Sequence, residues 1–226
     1  MKAKFTVGCL SALASCAVAA PSAVASAPAP VQCTSSITNQ VVDAPVVVPA
    51  NAFCAISGST LKRGVTAESG AFGLVLDDSR VALRVSAPAI RTLSIVNSKI
   101  AGFVEQGGAA SAVSVCGTRI VGTARFQQNL FAVRFGTPLL ETCAANRVTG
   151  VLTLSGNSGD TVVDETTVDG LLRIVDNPGP AVSLSDVTVN GRLECSGNAE
   201  VPFEGEGVRA WERTGQCDPT AAQQAL

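Results

Sequence analysis

The stretch NRVTGVLTLSGN at 146–157 is followed by TTVDGLLRIVDN at 166–177 and TVNGRLECSGN at 188–198. These are three copies of one short unit. Each places an aliphatic residue two before a Gly (Val148, Val168, Val189) and an Asn seven after it (Asn157, Asn177, Asn198). Followed backwards, the aliphatic position falls on Val42, Leu61, Val81, Ile100 and Ile120, so the steps along the chain are 19, 20, 19, 20, 28, 20 and 21 residues. A fixed period near 20 signals a solenoid, in which one unit buries its apolar face only by stacking on the next. Val, Ile, Leu and Thr alternate over short runs punctuated by Gly, Asn, Pro and Ser, the pattern of strands and turns. After residue 40 there is no amphipathic helical period. The sequence therefore predicts an all-β, right-handed parallel β-helix of about eight coils, a rod roughly 40 Å long at about 4.8 Å per coil.

Outside the repeat, MKAKFTVGCLSALASCAVAAPSAVASAPAP reads as a targeting segment. Lys2 and Lys4 form a basic start, Phe5 to Ala20 form a short apolar stretch, and Ala23-Val24-Ala25 offers a small-residue cleavage site. Leu13-Ala14-Ser15-Cys16 also resembles a bacterial lipobox, which would make Cys16 a lipid-anchored N-terminus. The expected division is a signal segment over 1–27, an Ala/Pro-rich linker and N-terminal cap over 28–40, the β-helix over 41–217 and a loose tail over 218–226. No transmembrane span is expected.

Two of the 16 Lys and Arg residues lie in the targeting segment and none of the 18 Asp and Glu, which leaves a net charge of −4 on the remainder. That balance argues against nucleic acid as a partner. With no His in the chain, neither a Ser-His-Asp nor a Cys-His arrangement is available, and there is no P-loop or dinucleotide fingerprint. Neither a cofactor nor a metal is implied: C-x-x-C and D-x-D-x-D-G are both missing.

Six cysteines follow the targeting segment: Cys33, Cys54, Cys116, Cys143, Cys195 and Cys217. In order they are 21, 27 and 22 residues apart, each about one coil, and the long gap falls in the long coil. Neighbouring coils bring Cα atoms to about 5 Å, within disulfide reach, and an exported chain meets oxidising conditions. Cys33–Cys54, Cys116–Cys143 and Cys195–Cys217 are the expected bonds, the first and last acting as caps on a rod whose end strands are otherwise open. NLFAVRFGTPLLETC at 129–143 interrupts the period. It reads as a loop folded over one face, with Phe131, Phe135, Leu139 and Leu140 in the extra material.

Residues one period apart stack into columns, so chemistry should be sought along columns. The position before the aliphatic column points outward. It reads Val41, Thr60, Arg80, Lys99, Arg119, Arg147, Thr167 and Thr188. Arg80, Lys99, Arg119 and Arg147 are therefore a candidate ladder for a polyanion such as an acidic cell-wall or extracellular polysaccharide, weighed against an ordinary solvated face. Two positions further back, Asp78, Asn97, Gly117, Ala145, Glu165 and Asp186 form a second column. Glu165 and Asp186 would stack at about 5 Å, the carboxylate separation a retaining glycosidase uses; ordinary surface acids are the competing explanation. Asn51, Asn129, Asn157, Asn177 and Asn198 read as a turn ladder, because Asn tolerates left-handed backbone and can bond to its copy one coil away.

The coil pattern V-x-G-x-L-x-x-x-x-N, the opening VVVPANAFCAISGSTLKRGVTAESGA and the closing TGQC resemble small secreted right-handed β-helix proteins of actinobacteria, over about 41–217. A wider resemblance is to pectate-lyase-like β-helix enzymes. The first resemblance implies the fold and export but no catalytic residue. Together these features favour a non-enzymatic exported module, structural or polyanion-binding, at the envelope or outside the cell. The alternative is a β-helix polysaccharide lyase or hydrolase.

Overall fold

The computed structural model describes residues 28–108, 111–136, 144–218 and 220. Every secondary-structure element named there is a strand, and every strand pairing is parallel. The targeting segment, Cys143, Leu139, Leu140 and residues 221–226 lie outside the described residues. The strands wind as a parallel β-solenoid of about nine turns, the long face alone holding nine strands.

One coil carries three strands. A two-residue strand comes first, as in Thr60–Leu61, Arg80–Val81 and Lys99–Ile100. A middle strand follows, as in Val65–Ala67, Val85–Pro88 and Val104–Gly107. The long strand completes the turn, as in Gly73–Asp77, Thr92–Val96 and Val113–Cys116. Thr188–Ser196 runs through the short and middle positions as one strand, with a register shift between Val189 and Arg192, and so joins those two faces into a single sheet. Chain order within the coil follows from residue type. Short β-branched runs make strands, and a Gly or polar residue ends each of them.

The aliphatic column is the spine of the rod. Val42, Leu61, Val81, Ile100, Ile120, Val148, Val168 and Val189 pair in register, each with the next. All eight are buried in one continuous core. The ladder reaches further at both ends than the repeat in the sequence. Val31–Gln32 and Ser36–Thr38 pair onto the first full coil, and Arg209–Gly215 pairs onto the last. These partial coils lack the Gly and Asn of the repeat, so about nine turns stand where the period counted about eight.

The Gly of the repeat is required by crowding. A Cβ on Gly150 would lie 2.5 Å from the carbonyl oxygen of Gly122, and one on Gly191 would lie 2.1 Å from that of Gly170. Neither position has a left-handed φ. At Gly150 and Gly191 the coils pass too closely for a side chain, although Arg63 and Leu83 hold the equivalent position in earlier coils.

Two other corners do need left-handed backbone. Before the short strand the positive-φ residues are Asn39, Gly58, Asp78, Asn97, Gly117, Glu165, Asp186 and Gly207; after the middle strand they include Asn51, Ala89, Gln128, Gly156, Asp176 and Gly197. The residue that follows each turn is buried and polar over much of the rod. The expected Asn column is thereby corrected. Asn51 (φ 61°) is an exposed left-handed corner, whereas Asn129, Asn157, Asn177 and Asn198 sit one position later, are buried, and have no left-handed φ. Their amides form a continuous chain. Asn129 Nδ2 donates to Asn157 Oδ1 (2.8 Å), Asn157 Nδ2 to Asn177 Oδ1 (3.0 Å), Asn177 Nδ2 to Asn198 Oδ1 (2.8 Å) and Asn198 Nδ2 to Gln216 Oε1 (3.0 Å). The backbone N–H of each Asn donates to the same acceptor. At the other corner Ser59, Ser79, Ser98 and Thr118 do the same work, the hydroxyl of each of the last three accepting the N–H of the residue one coil before it.

The interruption of the period lies later than 129. Val133–Phe135 is a regular long-face strand, in register with Val113–Val115 before it and Thr161–Val163 after it. Phe135 is fully buried and meets Phe126 edge-on at 5.0 Å between centroids. The extra residues therefore fall between Gly136 and Ala144, and Phe135 belongs to the core, not to a loop. Phe131 is exposed.

Cys33–Cys54 and Cys195–Cys217 are bonded as the spacing predicts, with Cα atoms 5.6 and 5.3 Å apart. All four cysteines are buried members of the core cluster. Cys116 is disulfide-bonded, and its expected partner Cys143 lies outside the described residues.

Replacing Asn157 by Leu strands two buried donors on Asn129 and leaves Asn177 Oδ1 with only the backbone N–H of residue 157. The expected loss is about 2–3 kcal/mol in denaturant unfolding, against about 1 kcal/mol or less for Val162→Thr on the half-buried outer face. Equal costs for the two would mean that the amide chain is dispensable.

Candidate functional site

The four basic residues singled out by the sequence are brought together. Lys99 pairs in register with Arg80 on one side and Arg119 on the other, and Arg119 pairs with Arg147. All four are exposed on the short face, because each precedes a buried aliphatic and the strand alternates. Successive cations are thus one strand spacing apart, about 4.8 Å at the backbone. Like charges stacked this closely repel each other.

What distinguishes the four is the residue two positions further on in the next coil. For Arg80 it is Ala101, for Lys99 it is Val121, and for Arg119 it is Thr149. For Arg147 it is Asp169, and the pair closes as a fork: Nε donates to Oδ2 at 2.9 Å and Nη2 to Oδ1 at 3.1 Å. Asn190 Nδ2 also donates to Asp169 Oδ1, at 3.0 Å. Asn190 first, and then Arg147, hold the Asp169 carboxyl below its ordinary value, with the charge of Arg119 contributing in the same direction. The lowered carboxyl stays ionised at neutral pH and loses its charge only as pH falls through the lowered value. Arg147 is therefore committed at neutral pH. Arg80, Lys99 and Arg119 make neither an ion pair nor a side-chain hydrogen bond among the described residues, even though Asp78 is only two residues from Arg80.

The other ion pairs lie elsewhere on the rod. Arg173–Glu194 (3.2 Å) and Arg192–Glu212 (3.2 Å) join adjacent coils near the C-terminal end, where Arg213 also pairs with Glu204, and Lys62–Asp43 (3.0 Å) joins coils near the N-terminal end. The middle coils of the short face are where cations stand without carboxylates.

Glu165 and Asp186, the carboxylates considered for glycosidic chemistry, are exposed corner residues with φ of 42° and 49°. They occupy the same left-handed row as Gly58, Asn97, Gly117 and Gly207. That row explains the recurrence of Asp, Asn and Gly in the second column by backbone geometry. Among the described residues, no group of three or more His, Cys, Asp or Glu side chains is placed to hold a metal ion. No helix there is long and apolar enough to cross a membrane.

Sequence reasoning did not find a hollow at the Gly corner beside the ladder. It measures about 530 Å³ and is lined by Ala82, Leu83, Arg84, Gly102, Phe103 and Arg63, among others. The signal was present as the step from small residues (Ala82, Ala101, Gly102) to large exposed ones (Leu83, Phe103), but only the stacking of coils shows that these meet. Compared with family models, curated proteins and solved structures, the chain matches none.

Asp169→Asn would free Arg147 and lengthen the run of uncommitted cations from three to four. Retention on an anionic polymer at low salt should tighten by roughly two- to fivefold, the range set by an exposed ion pair. Unchanged retention would mean that Arg147 plays no part in that face.

Proposed function

We propose that this protein is an exported, non-enzymatic β-helix that binds polyanions, chiefly acidic polysaccharide at the cell envelope or outside the cell. The observation that carries this is the run Arg80, Lys99 and Arg119: three exposed cations in strand register, none of them in an ion pair among the described residues, on a chain that is acidic overall. A solenoid holds these charges on a rigid scaffold, so a linear polyanion lying along the rod would meet them without the cost of ordering a loop. Evenly spaced Arg groups suit carboxylate, sulfate or phosphate, each of which accepts two parallel N–H bonds from one guanidinium.

Export is supported by the composition of the first 27 residues and by two buried disulfides, which fit an oxidising compartment. Attachment through a lipid on Cys16 is an alternative route to the same surface. The likeness of the coil pattern to small secreted β-helix proteins agrees with both. Against the lyase or hydrolase alternative stands the corner geometry of Glu165 and Asp186.

The test is retention of the purified protein on immobilised acidic polysaccharide over a salt series, wild type against Arg80→Gln, Lys99→Gln and Arg119→Gln combined. Retention should fall as salt rises, because the charges are exposed and screened, and the triple variant should elute at markedly lower salt. Co-elution of the two proteins would remove the ladder from any binding role.

A further inference from the structure

The hollow beside the ladder has a composition the ladder lacks. Its floor is Ala82, Ala101 and Gly102, residues with little or no side chain. Gly102 could not be anything larger, since a Cβ there would collide with the carbonyl oxygen of Leu83 at 1.6 Å. Its walls are Leu83 and Phe103, large apolar side chains 54% and 42% exposed. Exposed neighbouring apolar groups of this size, set around a recess, are the usual lining of a ligand site.

Cations surround this recess, and no carboxylate lines it. Arg84 makes no ion pair or side-chain hydrogen bond among the described residues, and the side-chain bond of Arg63 is to the backbone oxygen of Asp43 (3.0 Å), which leaves its charge unneutralised. Arg80 and Lys99 stand two residues before Ala82 and Ala101, with their side chains directed to the same side of the strand. The hollow and the ladder are therefore one continuous surface. A bare chain of phosphates would use the cations and leave Leu83 and Phe103 uncovered. A pyranose ring has an apolar face for Leu83 and Phe103 and can carry its acidic group toward Arg84 or Arg63.

We infer that the hollow formed by Leu83, Phe103, Gly102 and Arg84 is a subsite for one ring of an anionic glycan, which it distinguishes from other polyanions gripped by the ladder. This rests on the polyanion role of Arg80, Lys99 and Arg119. The far end of the same corner supplies a contrast. There Trp211, 82% exposed, borders a second hollow with Leu171 and Arg192, but Arg192 is already paired with Glu212 at 3.2 Å. An aromatic is present at that end, but its neighbouring cation is taken.

The experiment is affinity electrophoresis of the full chain through gels containing dextran sulfate, carboxymethyl dextran, neutral dextran or inorganic polyphosphate. The proteins compared are wild type, Leu83→Ser with Phe103→Ser, Phe103→Ala alone, Trp211→Ala, and the triple ladder variant, each checked for an unchanged denaturant midpoint. Phe103→Ala keeps the test usable if the double variant is unstable. The hollow variants should bind the anionic dextrans roughly tenfold more weakly, equivalent to about 1.4 kcal/mol, and bind polyphosphate as wild type does. Loss confined to the sulfated or the carboxymethylated polymer would support the subsite and name its acidic group. Trp211→Ala should change nothing.

Wild-type binding of the dextrans by both hollow variants overturns the subsite. So does an equal loss on polyphosphate, or a loss of the same size in Trp211→Ala. Failure of the ladder is a separate result: polyphosphate retention that the triple variant keeps, or wild type that no polyanion retards.

Discussion

Along two corners of the rod, the polar groups that the described residues bury find partners one coil away, and much of the structure follows from that constraint. The parallel ladder satisfies the backbone on the three strand faces, but the corners bend the chain out of strand geometry and leave N–H groups facing inward. Unpaired, each would cost about 1–3 kcal/mol. At one corner Asn129, Asn157, Asn177 and Asn198 absorb these donors and pass the requirement along until Gln216 ends it. At the other, Ser59, Ser79, Ser98 and Thr118 do so, and Asn146 accepts the N–H of Thr118 at 2.9 Å. Because each amide or hydroxyl serves the coil before it, these corners stay in register with their copies while the steps of 19, 20, 21 and 28 residues differ only in the chain between them. Extra residues are accommodated where they fall outside this register, between Gly136 and Ala144.

The same constraint sorts residues that look alike in the sequence. Asp78 and Glu165 hold left-handed corners, Asp169 holds Arg147, and Glu194 and Glu212 neutralise Arg173 and Arg192 across the coil spacing. Once these acids are assigned, the uncommitted charge on the short face is positive. A protein of negative net charge can thus present a cationic strip, because net charge is a sum and a solenoid face is a selection of one residue per coil. The adjacent Gly corner adds apolar relief to that strip, and it does so where the crowding of backbone against backbone forbids side chains at Gly102 and leaves space between Leu83 and Phe103.

Two disulfides lie at the first and last coils of the described residues. Cys33–Cys54 and Cys195–Cys217 sit inside the core at these positions. Each closes a loop of about one coil, worth about 3 kcal/mol by loop-closure entropy.

The period, the parallel coil, the buried aliphatic column, the outward cations Arg80, Lys99, Arg119 and Arg147, and the pairing of Cys33 with Cys54 and of Cys195 with Cys217 were legible in the sequence. They were legible because each depends on a single spacing that repeats. The role of the Asn column was half legible: bonding to the copy one coil away could be inferred, but the left-handed residue proved to be its neighbour, since a turn's φ is assigned by hydrogen bonding on both sides and not by residue preference alone. Phe135 as core and the partial end coils needed strand register, which length alone does not supply. Two things were decided only by tertiary structure. One was which cation meets a carboxylate, settled by what stands two residues on in the next coil. The other was the hollow, which no single coil contains and which exists only where four of them stack.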